Sequence, residues 1–447
     1  MSEPIPPEVR ARFPLITPEG AALLRRLEEH PHAPRYTHPG VDRLTPAGLR
    51  RAAEFEAQLG AGAEPGPPAW LADYVAACYR RVPAYRRRGP APADFAAVPL
   101  TTRADLARAP WDFVPDDEPL DGLVVYNTSG TTGHPLAIPT HADTLTHYLP
   151  LLRAALRRHG LDLPSGPGRV AVLLVAWQRR TYTYAAVSAL LGQAGFVKIN
   201  LDPAEWRDPA DRARFLDDCA PAVITGDPLA FAELAALPLT HRPAALVSTA
   251  LALAPALARS LEARFGCPVL DVYSLNETGP LAVQQAGVYH LLQPRLHVEI
   301  LDEAGRPCPP GGRGEVVVSG GFNPYLPLLR YRTNDFAAGE VRAGRLVLTA
   351  LEGRPPVIFR GRAGRRVNSA DVSLALRDLP LSQFALHQHA DGALTLRMTP
   401  APVAPAVVRE RLLALFGAAA AITVEAVDAL AAPAGKLRQF TTDLAAD

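Results

Sequence analysis

Lysine is nearly missing from this chain: of 46 basic residues only Lys198 and Lys436 are lysine, which leaves 44 arginines. A sequence so biased places Arg wherever any cation serves. Each remaining Lys therefore marks a position suited to a compact ammonium on a flexible stem rather than a planar fork. Cysteine is scarce as well. Cys78, Cys219, Cys267 and Cys308 form no CxxC pair, which argues against a disulfide framework or a zinc ribbon and leaves buried thiols. No run of about 18 apolar residues is present to span a bilayer, and the N-terminal MSEPIPPEVRARF lacks the apolar stretch of a secretory signal. The expectation is a cytoplasmic protein without a membrane partner. A formal net charge of +1 and the lack of long basic runs argue against nucleic acid as a partner. The pattern GxxxxGK[ST] is absent, which excludes a P-loop kinase.

What is present fits a globular α/β protein. The 447 residues allow two or three domains at roughly 150 residues each, and 48% hydrophobic against 20% charged residues supply a large core. The first 120 or so residues read as short helices and turns, among them a helix over Leu71–Arg81 and a helix-capping turn at Val98-Pro99-Leu100-Thr101-Thr102. The apolar runs LVVY (123–126), RVAVLLVA (169–176), PAVIT (221–225), AALVST (244–249) and PVLDVY (268–273) follow, with helical stretches between them at 144–159 and 254–265. Continuous apolar runs joined by helices predict a parallel sheet covered on both faces. After Gln284 the pattern turns to antiparallel strands, with a hairpin closing at Ala343-Gly344. From about Leu351 a small α+β domain is expected, with strands around VIFRGR, ALTLRM and ITVEAV and a helix over 407–416. The predicted division is 1–351 and 352–447.

The strongest local signal is Tyr126-Asn127-Thr128-Ser129-Gly130-Thr131-Thr132-Gly133-His134-Pro135 behind the strand LVVY. Hydroxyls and glycines interleaved on a turn offer backbone N–H groups and short donors to a phosphate chain. With those residues on the page, SGTTGHP resembles the phosphate-binding signature of the adenylate-forming superfamily, which includes acyl- and aryl-CoA ligases and luciferases. Three further segments resemble its landmarks in the same order: Asp271-Val272-Tyr273-Ser274-Leu275-Asn276-Glu277, Tyr331-Arg332-Thr333-Asn334-Asp335 and Pro433-Ala434-Gly435-Lys436. The segments YRRVPAYRRR, VPLTTRADL and Leu328-Leu329-Arg330-Tyr331-Arg332-Thr333 resemble the phenylacetate-CoA ligase branch and the related deazaflavin-adenylating synthetases.

The resemblance implies a large adenylation core of parallel α/β sheets and a β subdomain, with a mobile C-terminal lid, using ATP, Mg²⁺ and coenzyme A. It implies that Thr128, Ser129, Gly130, Thr131, Thr132 and Gly133 hold phosphates, that Tyr273 packs on adenine beside Asn276, and that Asp335 accepts the ribose hydroxyls. Glu277, with Thr132, would hold Mg²⁺, and Lys436 would meet the reacting carboxylate and the α-phosphate. Trp177, Tyr182, Tyr184, Ser248 and Ala250 fall where the family lines its acyl pocket. Aromatics with interspersed hydroxyls there suit an aryl or unsaturated acid, and Arg179 or Arg180 suits a second anionic group or a nucleotide phosphate. Lys198, in GFVKIN at a strand end, reads as structural.

Departures from the family pattern are also visible. Leu136 stands where a loop lysine is common, Asn276 where Thr or Ser usually precedes the Glu, and Asn334 where the family has glycine. Neither Gly-Arg pair that can serve as the domain hinge, Gly353-Arg354 or Gly361-Arg362, is followed by the family's Asp. The first is preferred and makes Arg354 a cofactor-side residue, although Pro355-Pro356 should rotate differently from an Asp pivot. Adenylation is therefore better supported than transfer to the CoA thiol. The acceptors admitted are CoA, a carrier protein, an amine or other nitrogen, or a hydroxyl that receives AMP; a homodimer is admitted too. A silent nucleotide-binding homologue is the reading from a different class.

Overall fold

The computed structural model of the protein describes residues 4–60, 65–127, 136–352, 357–361, 364–376, 379, 381, 384–398, 403–428, 430 and 439–444. Two compact units result. The first takes Met1–Pro65, Ala142–Arg295 and Glu340–Thr349, and the second takes Gly66–His141, Leu296–Gly339 and Ala350–Asp447.

Local chemistry sets the early helices. Thr17 and Thr45 stand before the helices Pro18–Glu28 and Pro46–Gln58, and their hydroxyls accept the backbone N–H of Gly20 and Gly48. Proline suits the first helical position because that N–H has no partner in the helix anyway. In the second unit the helix expected at Leu71–Arg81 is present, with Leu71, Val75, Cys78 and Tyr79 on its buried face. Thr102 and Asp105 close a reciprocal capping box on Arg103–Arg108, so the expected capping turn is there.

Strands β1 (Leu123–Asn127) and β2 (Ala137–His141) pair antiparallel, from Leu123 opposite His141 to Asn127 opposite Ala137. LVVY was expected in the parallel sheet and instead lies in this separate ribbon. An apolar run carries no information about the direction of its partner.

The parallel sheet belongs to the first unit. Its strands are β3 (Val170–Ala176), β4 (Tyr184–Ser188), β5 (Ala194–Asn200), β6 (Val223–Gly226), β7 (Ala245–Ser248) and β8 (Val269–Leu275), in the order β8-β7-β6-β3-β5-β4. All neighbours in that row are parallel except β4, which runs antiparallel on β5. Val170, Leu173, Val197, Ile224 and Leu246 enter a core with Leu24, Phe215, Phe231 and Phe265. Strands β9 (Gly279–Gln285) and β10 (Val288–Leu291) continue the sheet antiparallel beyond β8.

In the second unit β11 (Leu296–Leu301), β12 (Arg313–Gly320) and β13 (Leu328–Arg342) form an antiparallel row. After β13, Ala343 and Gly344 both take positive φ, 49° and 70°, as a two-residue hairpin turn requires. Strand β14 (Arg345–Glu352) then pairs with β10 through Leu348 and Val347.

The smaller C-terminal domain has its own core. It carries the pair β15 (Ile358–Arg360) and β16 (Arg366–Asn368), then β17 (Phe384–Gln388), β18 (Leu394–Met398), β19 (Ile422–Ala426) and β20 (Phe440–Thr442) in the order β19-β18-β17-β20. The helix Pro405–Phe416 contributes Leu412 and Phe416 to a cluster with Phe359, Leu386 and Leu396. The result is the expected α+β fold.

Candidate active site

Open α/β sheets take ligands at the carboxyl ends of their parallel strands. In the first unit five of the residues singled out from the sequence stand at that edge. Trp177 follows β3, Ser248 ends β7 with Ala250 just beyond, Tyr273 lies near the end of β8, and Glu277 follows it. Gly226, Ser248 and Asp271 face one another in register across β6, β7 and β8, which brings these strand ends side by side.

The turn 276–278 joins β8 to β9 through Gly279, whose φ of 75° suits glycine. Asn276 is exposed on it, whereas Glu277 and Tyr273 are only 7% and 8% exposed. Gln293 clamps the turn from beneath: its Nε2 donates to Thr278 O at 2.8 Å and to Pro280 O at 2.7 Å. Ser248 is fully buried, and its Oγ has no hydrogen-bond partner among the described residues. An orphaned buried hydroxyl costs free energy and calls for an explanation such as a ligand or water. Ala250 holds φ at 72°, a conformation that a non-glycine residue seldom adopts outside special sites.

Asn200, at the end of β5 and fully buried, fixes the segment after β3. Its Oδ1 accepts the Gln178 N–H at 3.1 Å, its Nδ2 donates to Gln178 O at 2.7 Å, and its backbone carbonyl accepts Trp206 Nε1 at 2.7 Å. Further along, Tyr182 and Tyr184 stack with ring centroids 6.1 Å apart and planes 9° from parallel. Tyr182 is 48% exposed.

Two groups that the sequence named without a binding or catalytic role stand out at this sheet by their surroundings. Asp271, on β8, accepts the Tyr289 hydroxyl at 2.6 Å, and burial pushes its carboxyl up to about 6. Lys198, on β5, lies with its ammonium 3.6 Å from the centre of the Tyr182 ring, and burial pushes it down to about 8. Nothing local in GFVKIN or DVY shows these surroundings, because both come from neighbouring strands.

The second unit holds Asp335. The residue is 7% exposed on β13, and its N–H donates to Thr333 Oγ1 at 3.0 Å. A β-bulge shapes the segment: the register between β12 and β13 shifts between Glu315 and Val317, and Glu315 takes up the loose groups, accepting from Asn334 N at 2.9 Å and Arg332 Nε at 2.7 Å. Asn334 sits at φ 57°. The departure from the family glycine is thus mild, since Asn is among the few residues that take the left-handed region readily. Leu136 is 1% exposed, so its position belongs to the core and does not face water as a counter-charge would.

Thr128, Ser129, Gly130, Thr131, Thr132, Gly133, Arg354 and Lys436 lie outside the described residues. Of the two residues expected at Mg²⁺, Glu277 is a carboxylate oxygen donor of the kind that a hard cation takes.

A parallel sheet with these residues at its carboxyl edge and a small C-terminal α+β domain define an α/β enzyme-like architecture that takes its ligand at the strand ends. The chain belongs to the AMP-binding enzyme family, whose model matches residues 91–323. Among solved structures it resembles 2-hydroxyisobutyryl-CoA ligase in an open conformation with 2-HIB-AMP and CoA, at 18% identity and a TM-score of 0.50, over 83% of this chain and 88% of that one. Weaker likenesses are to apo MatB from Rhodopseudomonas palustris, at 19% identity over 73% of this chain and 68% of that one with a TM-score of 0.38, and to the anthranilate CoA ligase AuaEII with anthranoyl-AMP, at 15% identity over 72% and 67% with a TM-score of 0.37. No curated protein matches the chain.

Proposed function

We propose that the enzyme joins a flat carboxylic acid, aryl or unsaturated, to AMP at the expense of ATP, and passes the acyl group to the thiol of CoA. A carboxylate oxygen attacks the α-phosphorus, the bond from that phosphorus to the bridging oxygen breaks, and pyrophosphate leaves. No proton has to be moved, so catalysis is positioning and charge stabilisation. In this reading Ser129 to Gly133, with Thr128, hold the phosphates, Glu277 and Thr132 hold Mg²⁺, and Tyr273 and Asn276 flank the base. Asp335 accepts the ribose hydroxyls, two acceptor oxygens for two donors. Lys436 offsets the charge that grows on the α-phosphate, Arg354 lies at the hinge between 1–351 and 352–447, and Trp177, Tyr182, Tyr184, Ser248 and Ala250 form the acid pocket.

The observation that carries the reading is the Ser248 hydroxyl, buried and without a partner among the described residues, at the carboxyl end of β7 next to Asp271 on β8, the strand that carries Tyr273. CoA as acceptor is supported by the fold shared with 2-hydroxyisobutyryl-CoA ligase. The branch we favour within the family is the phenylacetate-CoA ligase one.

The test is pyrophosphate release from MgATP across a panel of aryl and short unsaturated acids, with and without CoA, in the wild type and in Lys436→Ala. Acid-dependent release that drops at least a hundredfold in the variant supports adenylation, and thioester formation then fixes the acceptor. Release that is independent of Lys436, or ATP binding without release for any acid, overturns it in favour of AMP transfer to a hydroxyl or of a silent nucleotide-binding homologue.

A further inference from the structure

The C-terminal sheet has two unlike faces. Leu386 on β17 and Leu394 and Leu396 on β18 turn into the domain core, so alternation puts His387 and Thr395 on the opposite face. Register then assembles one polar cluster there. Thr395, His387 and Thr441 stand side by side across β18, β17 and β20, and His389 and Asp443 follow two residues beyond His387 and Thr441. The Asp443 N–H donates to Gln388 O at 2.9 Å, which carries the parallel pairing as far as the aspartate. A tight turn fixes His389: its N–H donates to Ala393 O at 2.9 Å, and Gly392 within the turn takes φ 86°.

Donor atoms converge in this cluster. One from each of His387, His389 and Asp443 lies within 4.8 Å of the other two. Ligands at about 2.0–2.2 Å from a tetrahedral Zn²⁺ stand about 3.3–3.5 Å apart, a difference that small side-chain rotations close. The two imidazoles meet edge to face with centroids 4.5 Å apart, and His387 Nε2 lies 3.1 Å from Asp443 Oδ2. Each ring also rests one nitrogen on a hydroxyl, His387 Nδ1 on Thr441 Oγ1 at 2.9 Å and His389 Nε2 on Thr395 Oγ1 at 2.8 Å. Metal-binding histidines use such an oxygen partner, which orients the ring and leaves the other nitrogen for the ion. Asp443 is set apart by its company. In a chain with 44 arginines, its one ion-pair partner among the described residues is His387. The side chains of His387 and Asp443 are 33% and 52% exposed, so an ion can reach them from water.

We infer that His387, His389 and Asp443 form a Zn²⁺ site on this face of the C-terminal sheet, with water as fourth ligand, and that the ion ties β20 to β17. Donor chemistry selects the metal. Two imidazoles with one carboxylate suit Zn²⁺, Ni²⁺ or Co²⁺, whereas Mg²⁺ and Ca²⁺ prefer oxygen ligands throughout. Strand β20 is three residues long, so a metal bond to Asp443 just beyond it adds a substantial share of what holds it. The site is separate from the Mg²⁺ expected at Glu277, and its formation does not depend on the adenylation reading.

The experiment titrates the metal-free full chain with Zn²⁺ against a chromophoric chelator, follows Co²⁺ by its visible absorption, and records thermal unfolding with and without Zn²⁺. The wild type should bind one Zn²⁺ here at micromolar affinity or tighter and show the intense bands of tetrahedral Co²⁺. Its unfolding should move to higher temperature, as with any ligand that binds only the folded state. Asp443→Ala and His387→Gln should each weaken binding at least about 100-fold, and Thr395→Val, which removes only the support of His389, about tenfold. Asp443 is exposed, so its variant tests the site even where a histidine variant fails to fold. No saturable Zn²⁺ binding in the wild type, undiminished binding in Asp443→Ala, or equal affinity for Mg²⁺ overturns the inference. No readout uses ATP or an acid, so each of these outcomes leaves adenylation as it stands.

Discussion

Arg330 in the second unit and Lys198 in the first are both withdrawn from water, and they are provided for in opposite ways. Arg330 is 3% exposed, and its guanidinium meets Glu299 at 3.1 Å and the carbonyls of Ala96 and Val98 at 2.6 and 3.0 Å. Its backbone is held at φ 42°, a conformation that needs support from the surroundings. Among the described residues Lys198 has an aromatic ring and no carboxylate. A buried ion whose hydrogen-bonding capacity is filled by the protein belongs to the scaffold, whereas one left open is available to something that binds.

The most severe test of that contrast is Arg330→Met. It leaves Glu299, already pushed above the usual carboxylate range by burial, without its counter-charge. The expected loss is about 3–5 kcal/mol, measured as the fall in the urea midpoint at constant slope. A loss below about 1 kcal/mol would mean that the pairing is incidental, since that is the range of exposed pairs.

Lys198→Met should behave in the opposite sense, gaining roughly 1–3 kcal/mol at pH 7 because a costly charge is removed. The pH dependence has a definite sign. The folded state holds the Lys198 proton with a pKa of about 8 against an ordinary 10.5, so between those values the unfolded chain binds more protons, and wild-type stability rises with pH. The advantage of the variant is therefore full below pH 8 and fades towards pH 10.5. Unfolding curves for both proteins at pH 7 and 10.5 decide the point, and a constant difference between them would falsify the unpaired-charge description.

Asn334 sharpens the comparison at smaller amplitude, because it tests strain rather than charge. Asn334→Val puts a β-branched residue at φ 57° and should cost about 1–2 kcal/mol. Asn334→Gly should change stability by less than about 1 kcal/mol. If Val is tolerated as well as Gly, the bulge held by Glu315 is not confining the backbone.

How far the sequence reached follows from the same residues. The runs at 169–176, 221–225, 244–249 and 268–273 became β3, β6, β7 and β8, since a strand buried on both faces is apolar throughout. The turn at Ala343-Gly344 was legible because a two-residue hairpin has its own local chemistry. The partners of Arg330 were not, because Ala96 and Val98 lie more than two hundred residues away in sequence and no periodicity links them. Lys198 was conspicuous by composition and read as structural, since its missing partner becomes visible only once β3 and β4 flank β5. Leu136 and Asn334 were seen as departures from a pattern. Burial gives the first its place in the core, and a left-handed φ makes the second tolerable.

The finest test concerns Ser248, where a stability measurement and an activity measurement should separate. Its hydroxyl is buried without a partner among the described residues, so Ser248→Ala removes a polar atom that those residues leave unsatisfied. Stability should stay within about 0.5 kcal/mol or rise slightly. If that hydroxyl bonds to the acid or to the nucleotide, exchange should fall about tenfold, the equivalent of one neutral hydrogen bond of about 1.4 kcal/mol. A drop in stability above about 1 kcal/mol would reveal an internal partner for the hydroxyl and make Ser248 part of the scaffold, as Arg330 is. Unchanged stability with unchanged exchange would leave the edge of β7 without a role in binding, and the acid pocket would then have to be sought nearer Trp177 and Tyr182.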